Sequence, residues 1–242
     1  MKGIILAAGD GGRLRPLTLK TPKVLLDLAE QPLINYPLDA LMSAGISDIA
    51  IVVGYMNGAV EEALKQSYPS LSYVYNDHYD DGGNAMSIYA ARSFIGDDSF
   101  VVCMGDHAIS PSIISTMLSQ NYKGCVLCVD SMADHSSQID DATRVSVGDD
   151  GYIANLGKEI EVWDCIDTGV FQMTSDVFAA TEALMENKGV DVSITDMVLH
   201  SASMGNPFAT CDVTGSFWAD VDTIEDLHSV DRLLREINGR GI

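Results

Sequence analysis

The chain has 242 residues, of which 47% are apolar and 20% charged, with a formal net charge of −21. That length supplies a core for one large α/β domain or two small ones. The acidic total argues against a nucleic-acid groove or an anionic membrane surface; it leaves a nucleotide substrate open, because phosphates need only a local basic site and a metal.

Met1-Lys2-Gly3 runs directly into strand-like sequence, with no n-region, long h-region or cleavage site before it. Charges or glycines interrupt every apolar run, so no membrane-spanning segment is expected and a cytoplasmic location is. The first strand is expected over Gly3–Ala8. It empties into Gly9-Asp10-Gly11-Gly12-Arg13-Leu14-Arg15-Pro16, closed by Thr21-Pro22-Lys23. Residues 1–23 hold five cations and one acid, a sum of +4, so the remainder of the chain carries −25. Glycines allow backbone N–H groups to approach a ligand, and guanidinium and ammonium groups complete a polyphosphate cradle. The run fits neither G-x-x-x-x-G-K-[ST] nor the dinucleotide fingerprint, which needs a glycine where Leu14 stands.

An extended piece is expected at Val24–Leu28. A helix follows over Leu33–Ala44, with Pro32 at its first position and Gly45 as its stop. Next come a strand at Ile49–Gly54, a helix capped by Asn57 and running to Ser67, and a strand at Leu71–Tyr75. A helix over Asn84–Phe94 is entered through Asp81-Gly82-Gly83. The strand Phe100–Met104 ends at Gly105-Asp106, and a helix (Pro111–Gln120) and a strand (Gly124–Val129) follow. This βαβα rhythm predicts a three-layer α/β fold with a mainly parallel sheet, with ligands beyond the carboxyl ends of the strands.

Beyond residue 130 the pattern is less regular. Asp130–Asp141 reads as loop, and Arg144–Val147 and Tyr152–Leu156 as a hairpin around Gly148-Asp149-Asp150-Gly151. Val170–Met173 is a strand, followed by helices over Ser175–Asn187 and within Asp191–Ala202. Ala209–Val213 and Phe217–Asp220 are extended, and Thr223–Asn238 is an amphipathic helix. The simplest organisation is one domain, with residues 1–130 holding a nucleotide and the smaller, β-rich 131–242 holding an acceptor.

Five cysteines is an odd number, and Cys125 and Cys128 have C-x-x-C spacing on one strand. Residues i and i+3 of a strand point to opposite faces, so joint metal binding is not expected.

Asp106, at a strand end facing the loop, suits Mg²⁺, which prefers hard oxygen ligands; it also suits an ordinary turn. In Phe217-Trp218-Ala219-Asp220-Val221-Asp222, alternation puts Asp220 and Asp222 on one face. Asp222 also reads as a lead into the last helix, where Thr223 and Asp226 form a capping box, so Asp220 is the favoured second metal ligand. Lys158, in a cation-poor stretch, is a candidate for a second phosphate or simply a solvated turn residue. Asp167-Thr168-Gly169 could meet the hydroxyls of a polyol or make an ordinary turn. Asp80-Asp81-Gly82-Gly83-Asn84 is either a helix entry or a close approach to a base, with Ser87 one turn further on. His107, beside Asp106, is read as structural rather than as a general base.

The run Leu6-Ala7-Ala8-Gly9-Asp10-Gly11-Gly12-Arg13-Leu14-Arg15-Pro16-Leu17-Thr18 through Pro22-Lys23 resembles the opening motif of the nucleotidyltransferases that make NDP-sugars and related activated alcohols. Within that superfamily, Gly83-Asn84-Ala85-Met86-Ser87, Met104-Gly105-Asp106-His107, Gly157-Lys158, Asp164–Gly169 and Trp218–Thr223 most resemble the CTP:inositol-1-phosphate cytidylyltransferases. The resemblance implies a Rossmann-like core and a Mg²⁺-dependent transfer of a nucleoside monophosphate from CTP to a phosphorylated polyol or sugar, with release of pyrophosphate. Carried over by residue, it assigns Arg13 and Lys23 to the triphosphate, Asp106 and Asp220 to the metal and Lys158 to the acceptor phosphate. It assigns Leu6, Ala7, Ala8, Gly9, Gly11, Gly12, Gly83, Asn84, Ser87 and Gly105 to the nucleotide. Glu159, Asp167, Thr168 and Gly169 join Lys158 around the acceptor.

Some such enzymes are fused to a membrane-embedded synthase or carry a hexapeptide-repeat β-helix; neither is expected here. A homodimer is left open. The alternatives are the same chemistry on a sugar 1-phosphate or on phosphocholine, with Trp163 and Trp218 as candidate cage walls. A GT-A-like glycosyltransferase using Asp220-Val221-Asp222 and a non-catalytic nucleotide-binding protein are the others.

Overall fold

Strand β1 (Lys2–Ala7) sends Ile4 to one face and Ile5 and Ala7 to the other, and two separate cores form on the two sides. It is a central strand in the computed structural model, which describes residues 1–133 and 142–239. The chain continues through the hairpin β2 (Asp27–Leu28) and β3 (Gln31–Pro32), helix α1 (Asn35–Ser43), β4 (Ile49–Val53), α2 (Asn57–Lys65) and β5 (Ser72–Tyr75). Next come α3 (Ala85–Ala90), α4 (Arg92–Ile95), β6 (Phe100–Met104), β7 (His107–Ile109), α5 (Pro111–Ser119) and β8 (Val126–Asp130). The remainder is β9 (Arg144–Val147), β10 (Ile153–Gly157), β11 (Cys165–Met173), α6 (Asp176–Lys188), α7 (Ile194–Ser203), β12 (Ala209–Asp212), β13 (Trp218–Asp220) and α8 (Ile224–Gly239).

Nine strands form the main sheet, in the order β10-β9-β11-β6-β1-β4-β5, with β8 on β11 and β12 on β8. The segment β5-β4-β1-β6 is parallel, as the βαβ rhythm predicts. Strand β11 then runs antiparallel to β6, β8 and β9 and joins the two halves. Helices α1, α2 and α5 cover one face, and α3, α4, α6 and α7 the other. Cys125 and Cys128 fall in these opposite cores, as strand alternation requires, and all five cysteines are buried and unpaired.

A third, smaller core positions the site. Leu14, Leu28, Leu33, Ala108, Ala219 and Val221 pack with Leu227, Val230 and Leu234 of α8. The last three recur at helical spacing, so one stripe of α8 clamps the glycine loop, β7 and β13 together.

Local differences from the sequence reading have identifiable causes. Pro32 does not open a helix; it pairs with Asp27 across the β2–β3 hairpin, and the Leu33 and Ile34 N–H groups bond to Leu26 and Val24. Helix α1 therefore starts at Asn35, while its end is as expected: the Gly45 and Ile46 N–H groups close onto Met42 and Leu41 around Gly45. Lys23–Leu25 is a 3-10 turn rather than extended chain. Asn57 is the first residue of α2 and Met56 holds the cap position. The helix expected over Asn84–Phe94 divides at Ala91, whose N–H tightens onto Ile88. Part of the loop expected over 130–141 lies outside the described residues. Among the described residues no helix is long and apolar enough to cross a membrane.

Candidate active site

The loop after β1, the carboxyl end of β6, the start of β11 and the end of β13 surround one pocket. Its wall includes Arg13, Asn84, Asp106, Lys158, Asp167, Gly169, Asp220 and Asp222. These residues come from six separate stretches of sequence.

The loop supplies cations and its own scaffold. Gly11 is in the left-handed region at φ +62°, and a Cβ there would lie 2.9 Å from Lys23 and Thr18 side-chain atoms. The absent side chain therefore seats the Lys23 stem, which is 9% exposed. Leu14 is buried in the third core, so its neighbour Arg13 is directed outward, over the pocket.

Alternation does the same for the carboxylates. Ala219 and Val221 enter the third core, which turns Asp220 and Asp222 to the pocket. The short strand β7, not foreseen from sequence, pairs with β13 so that Asp220 stands opposite His107, and Val221 N–H donates to the Asp106 carbonyl. Lys23 Nζ then donates to Asp106 Oδ2 at 2.7 Å and to Asp222 Oδ1 at 2.5 Å, and Arg13 donates to Asp222 Oδ2. From sequence Asp222 reads either as a companion of Asp220 or as a lead into the last helix. The capping box of Thr223 and Asp226 forms as predicted and satisfies the helix start, which leaves the Asp222 carboxylate to the loop.

The electrostatics differ along the pocket. Burial opposes charge on Asp106, but the Lys23 ammonium and the His107 hydrogen bond outweigh it and hold the carboxyl well below its usual range. Lys23 loses hydration by burial, yet Asp106 and Asp222 together raise its pKa. Burial pushes Asp167 up to about 6 against the Gly169 N–H and His107. Burial also raises Asp220, with Asp222 and Asp106 adding to the effect and His107 opposing it.

Several expected residues do other work. Thr168 is fully buried, and its hydroxyl donates to the Cys128 carbonyl inside the core at 2.8 Å, so its side chain does not reach the pocket. Glu159 is exposed and is not part of the pocket wall. Ser87 is buried and accepts a hydrogen bond from the Asn76 amide. Gly83 N–H donates to Val190, and the Asn84 side chain accepts from Ile194 N–H at 2.7 Å, so this turn is fastened to the start of α7. Leu6 and Ala8 use their carbonyls for Gly105 and Tyr55 N–H groups, and Ala7 is buried, whereas Gly9 and Gly12 are exposed. Gly169, at φ +75°, would bring a Cβ within 2.7 Å of the His107 ring; it makes room for that ring. Trp218 lines the pocket and Trp163 does not. Thr143, Leu156, Phe171 and Thr195 line it without having been anticipated, since nothing local in sequence distinguishes them.

The donor set suits a hard divalent cation. Among the described residues no three acidic, His or Cys side chains converge closely enough to hold a metal unaided. Two carboxylate oxygens near one point suit an ion such as Mg²⁺, which fills its remaining positions with water and phosphate oxygens.

Residues 2–137 match the nucleotidyl transferase family. The chain belongs to that family. It is 31% identical over 241 residues, 99% of its length, to the bifunctional IPC transferase and DIPP synthase of Aquifex aeolicus, and spans about half (53%) of that protein. Over 102 residues, 42% of this chain and 43% of the relative, it is 43% identical to the choline-phosphate cytidylyltransferase of Streptococcus pneumoniae. The inositol-1-phosphate CTP transferase from T. maritima has a similar structure: TM-score 0.83, 26% identity, 97% of this chain and 96% of that one. The Rossmann-like α/β architecture is thus that of the family.

Proposed function

We propose that the chain transfers a cytidylyl group from CTP to inositol 1-phosphate, with Mg²⁺ as the metal and pyrophosphate as the leaving group. The observation that carries the reaction class is the meeting of Arg13, Asp106 and Asp222 in one pocket, with the buried Lys23 ammonium bonded to both carboxylates. Likeness to the T. maritima transferase over nearly the whole of both chains supports the substrate pair. Asp167, Thr143 and Thr195 add groups that bind hydroxyls.

In this reading Arg13, Lys23 and the backbone of Gly9 and Gly12 hold the triphosphate. Asp106, with Asp222 or Asp220, holds Mg²⁺, which when bound neutralises phosphate charge. Lys158 holds the acceptor phosphate, and Asp167 orients a hydroxyl. An acceptor phosphate oxygen attacks the α-phosphorus in line; the P–O bond to pyrophosphate breaks, and pyrophosphate leaves with its electron pair. The attacking oxygen is anionic, so His107 has no proton to remove; catalysis is alignment plus charge stabilisation. Residues 1–130 form the nucleotide half and 131–242 the acceptor half of one cytoplasmic enzyme.

The test is a pyrophosphate-release screen of four nucleoside triphosphates against inositol 1-phosphate, sugar 1-phosphates and phosphocholine. CTP with inositol 1-phosphate is expected to be the best pair. No release with any pair overturns the reaction class. A preference for phosphocholine supports the second reading, which the pneumococcal likeness and the Trp218 and Phe171 walls favour.

A further inference from the structure

Three cations of the glycine loop are held by the chain's own carboxylates. Arg15 donates to Asp10 Oδ2 at 2.8 Å, while Asp10 Oδ1 accepts the Gly12 N–H at 3.1 Å. Arg13 donates to Asp222, and Lys23 bridges Asp222 and Asp106. A guanidinium, an ammonium and a backbone N–H are what a triphosphate would engage. The carboxylates therefore take the part of phosphate oxygens, and the Lys23 ammonium takes the part of a cation between Asp106 and Asp222.

The two arrangements exclude one another. A divalent cation on the Asp106 and Asp222 oxygens that touch Lys23 would lie in contact with the ammonium, and like charges at that separation repel strongly. A triphosphate that drew off Lys23 and Arg13 alone would leave Asp222 without either cation and Asp106 with only its His107 partner. Only joint arrival leaves every charge paired.

We infer that nucleotide and divalent cation enter by an exchange of partners: the phosphates take Lys23 and Arg13, and the carboxylates they release receive the cation. This rests on the nucleotide and metal reading of the site and adds to it a built-in coupling. Each ligand alone binds weakly, and each raises the affinity of the other by the same factor.

The test uses the whole chain, with Mn²⁺ followed by electron paramagnetic resonance and a CTP analogue carrying an α,β-methylene bridge followed by calorimetry. Without nucleotide, Mn²⁺ is expected to bind Lys23→Met at least about tenfold more tightly than wild type. Arg15→Met removes an equal charge from the same loop, but one held by Asp10; it should shift Mn²⁺ affinity less than about threefold. In chelator, Asp222→Asn is expected to bind the analogue at least about fivefold more tightly than wild type. Asp220→Asn, which lowers the pocket charge equally beside His107, should gain less than about threefold. This second comparison holds even if Lys23→Met does not fold. Equal Mn²⁺ affinity in wild type and Lys23→Met, or equal gains in the two Asp variants, overturns the exchange and leaves the nucleotide site standing. Failure of wild type to bind the analogue with or without Mn²⁺ overturns the exchange and the proposed function together.

Discussion

Asp106 at the loop end of the pocket touches Lys23, whereas at the sheet end charge on Asp167 is favoured by the Gly169 N–H and then the His107 ring, and charge on Asp220 by the His107 ring. Burial penalises all three. Asp106 has the Lys23 ammonium in hydrogen-bond range and is held low, while the other two are raised. One pocket therefore contains carboxylate suited to hard cations and phosphate-binding partners, and carboxylate suited to accepting hydrogen bonds. The difference comes from the partner supplied by the fold, not from the residue type.

The largest effect on this contrast is expected from Asp106→Asn, which should lower pyrophosphate release by about a thousandfold or more with the thermal transition retained. Near-wild-type turnover would remove the loop end from the chemistry. Lys23→Ala should lower kcat/KM by about a hundredfold or more, measured in the same assay.

At the other end, Asp167→Asn should raise the acceptor KM about tenfold with a smaller change in kcat. Burial pushes the Asp167 carboxyl up to about 6, above its ordinary value, so its carboxylate forms as pH rises through that region. Acceptor KM should accordingly fall more steeply from roughly pH 5 to pH 7 in wild type than in Asp167→Asn, where only the second ionisation of the acceptor phosphate, at about 6, remains.

Gly169→Ala probes what holds His107 between the two ends. Its φ of +75° and the 2.7 Å approach to the ring predict a loss of about 1–3 kcal/mol in denaturant unfolding. The smallest effect belongs to Thr168→Val. It removes one buried hydrogen bond to Cys128 and should cost about 1 kcal/mol of stability, with acceptor KM unchanged. A raised acceptor KM would return Thr168 to the acceptor wall.

Much of the loop end was legible because its signals are local. A strand emptying into glycines and cations, and a second strand ending in Gly105-Asp106, are recognisable without knowledge of neighbours. The sheet end was less so. Thr168 lies between Asp167 and Gly169, both in the pocket wall, yet strand alternation turns it inward. Thr143, Thr195 and Phe171 carry no local mark, because only the packing of β9, α7 and β11 brings them together.

By itself the sequence determined the α/β layering, the cationic loop and the alternation that puts Asp220 and Asp222 on one face. Only the tertiary structure decided that Lys23 meets Asp222, 199 residues away. Hydrophobic period sets which face of an element is polar, but the neighbour of that face is chosen by packing. Here Leu14, Ala108, Ala219 and Val221 close against α8, and their burial brings the charged residues beside them into one pocket.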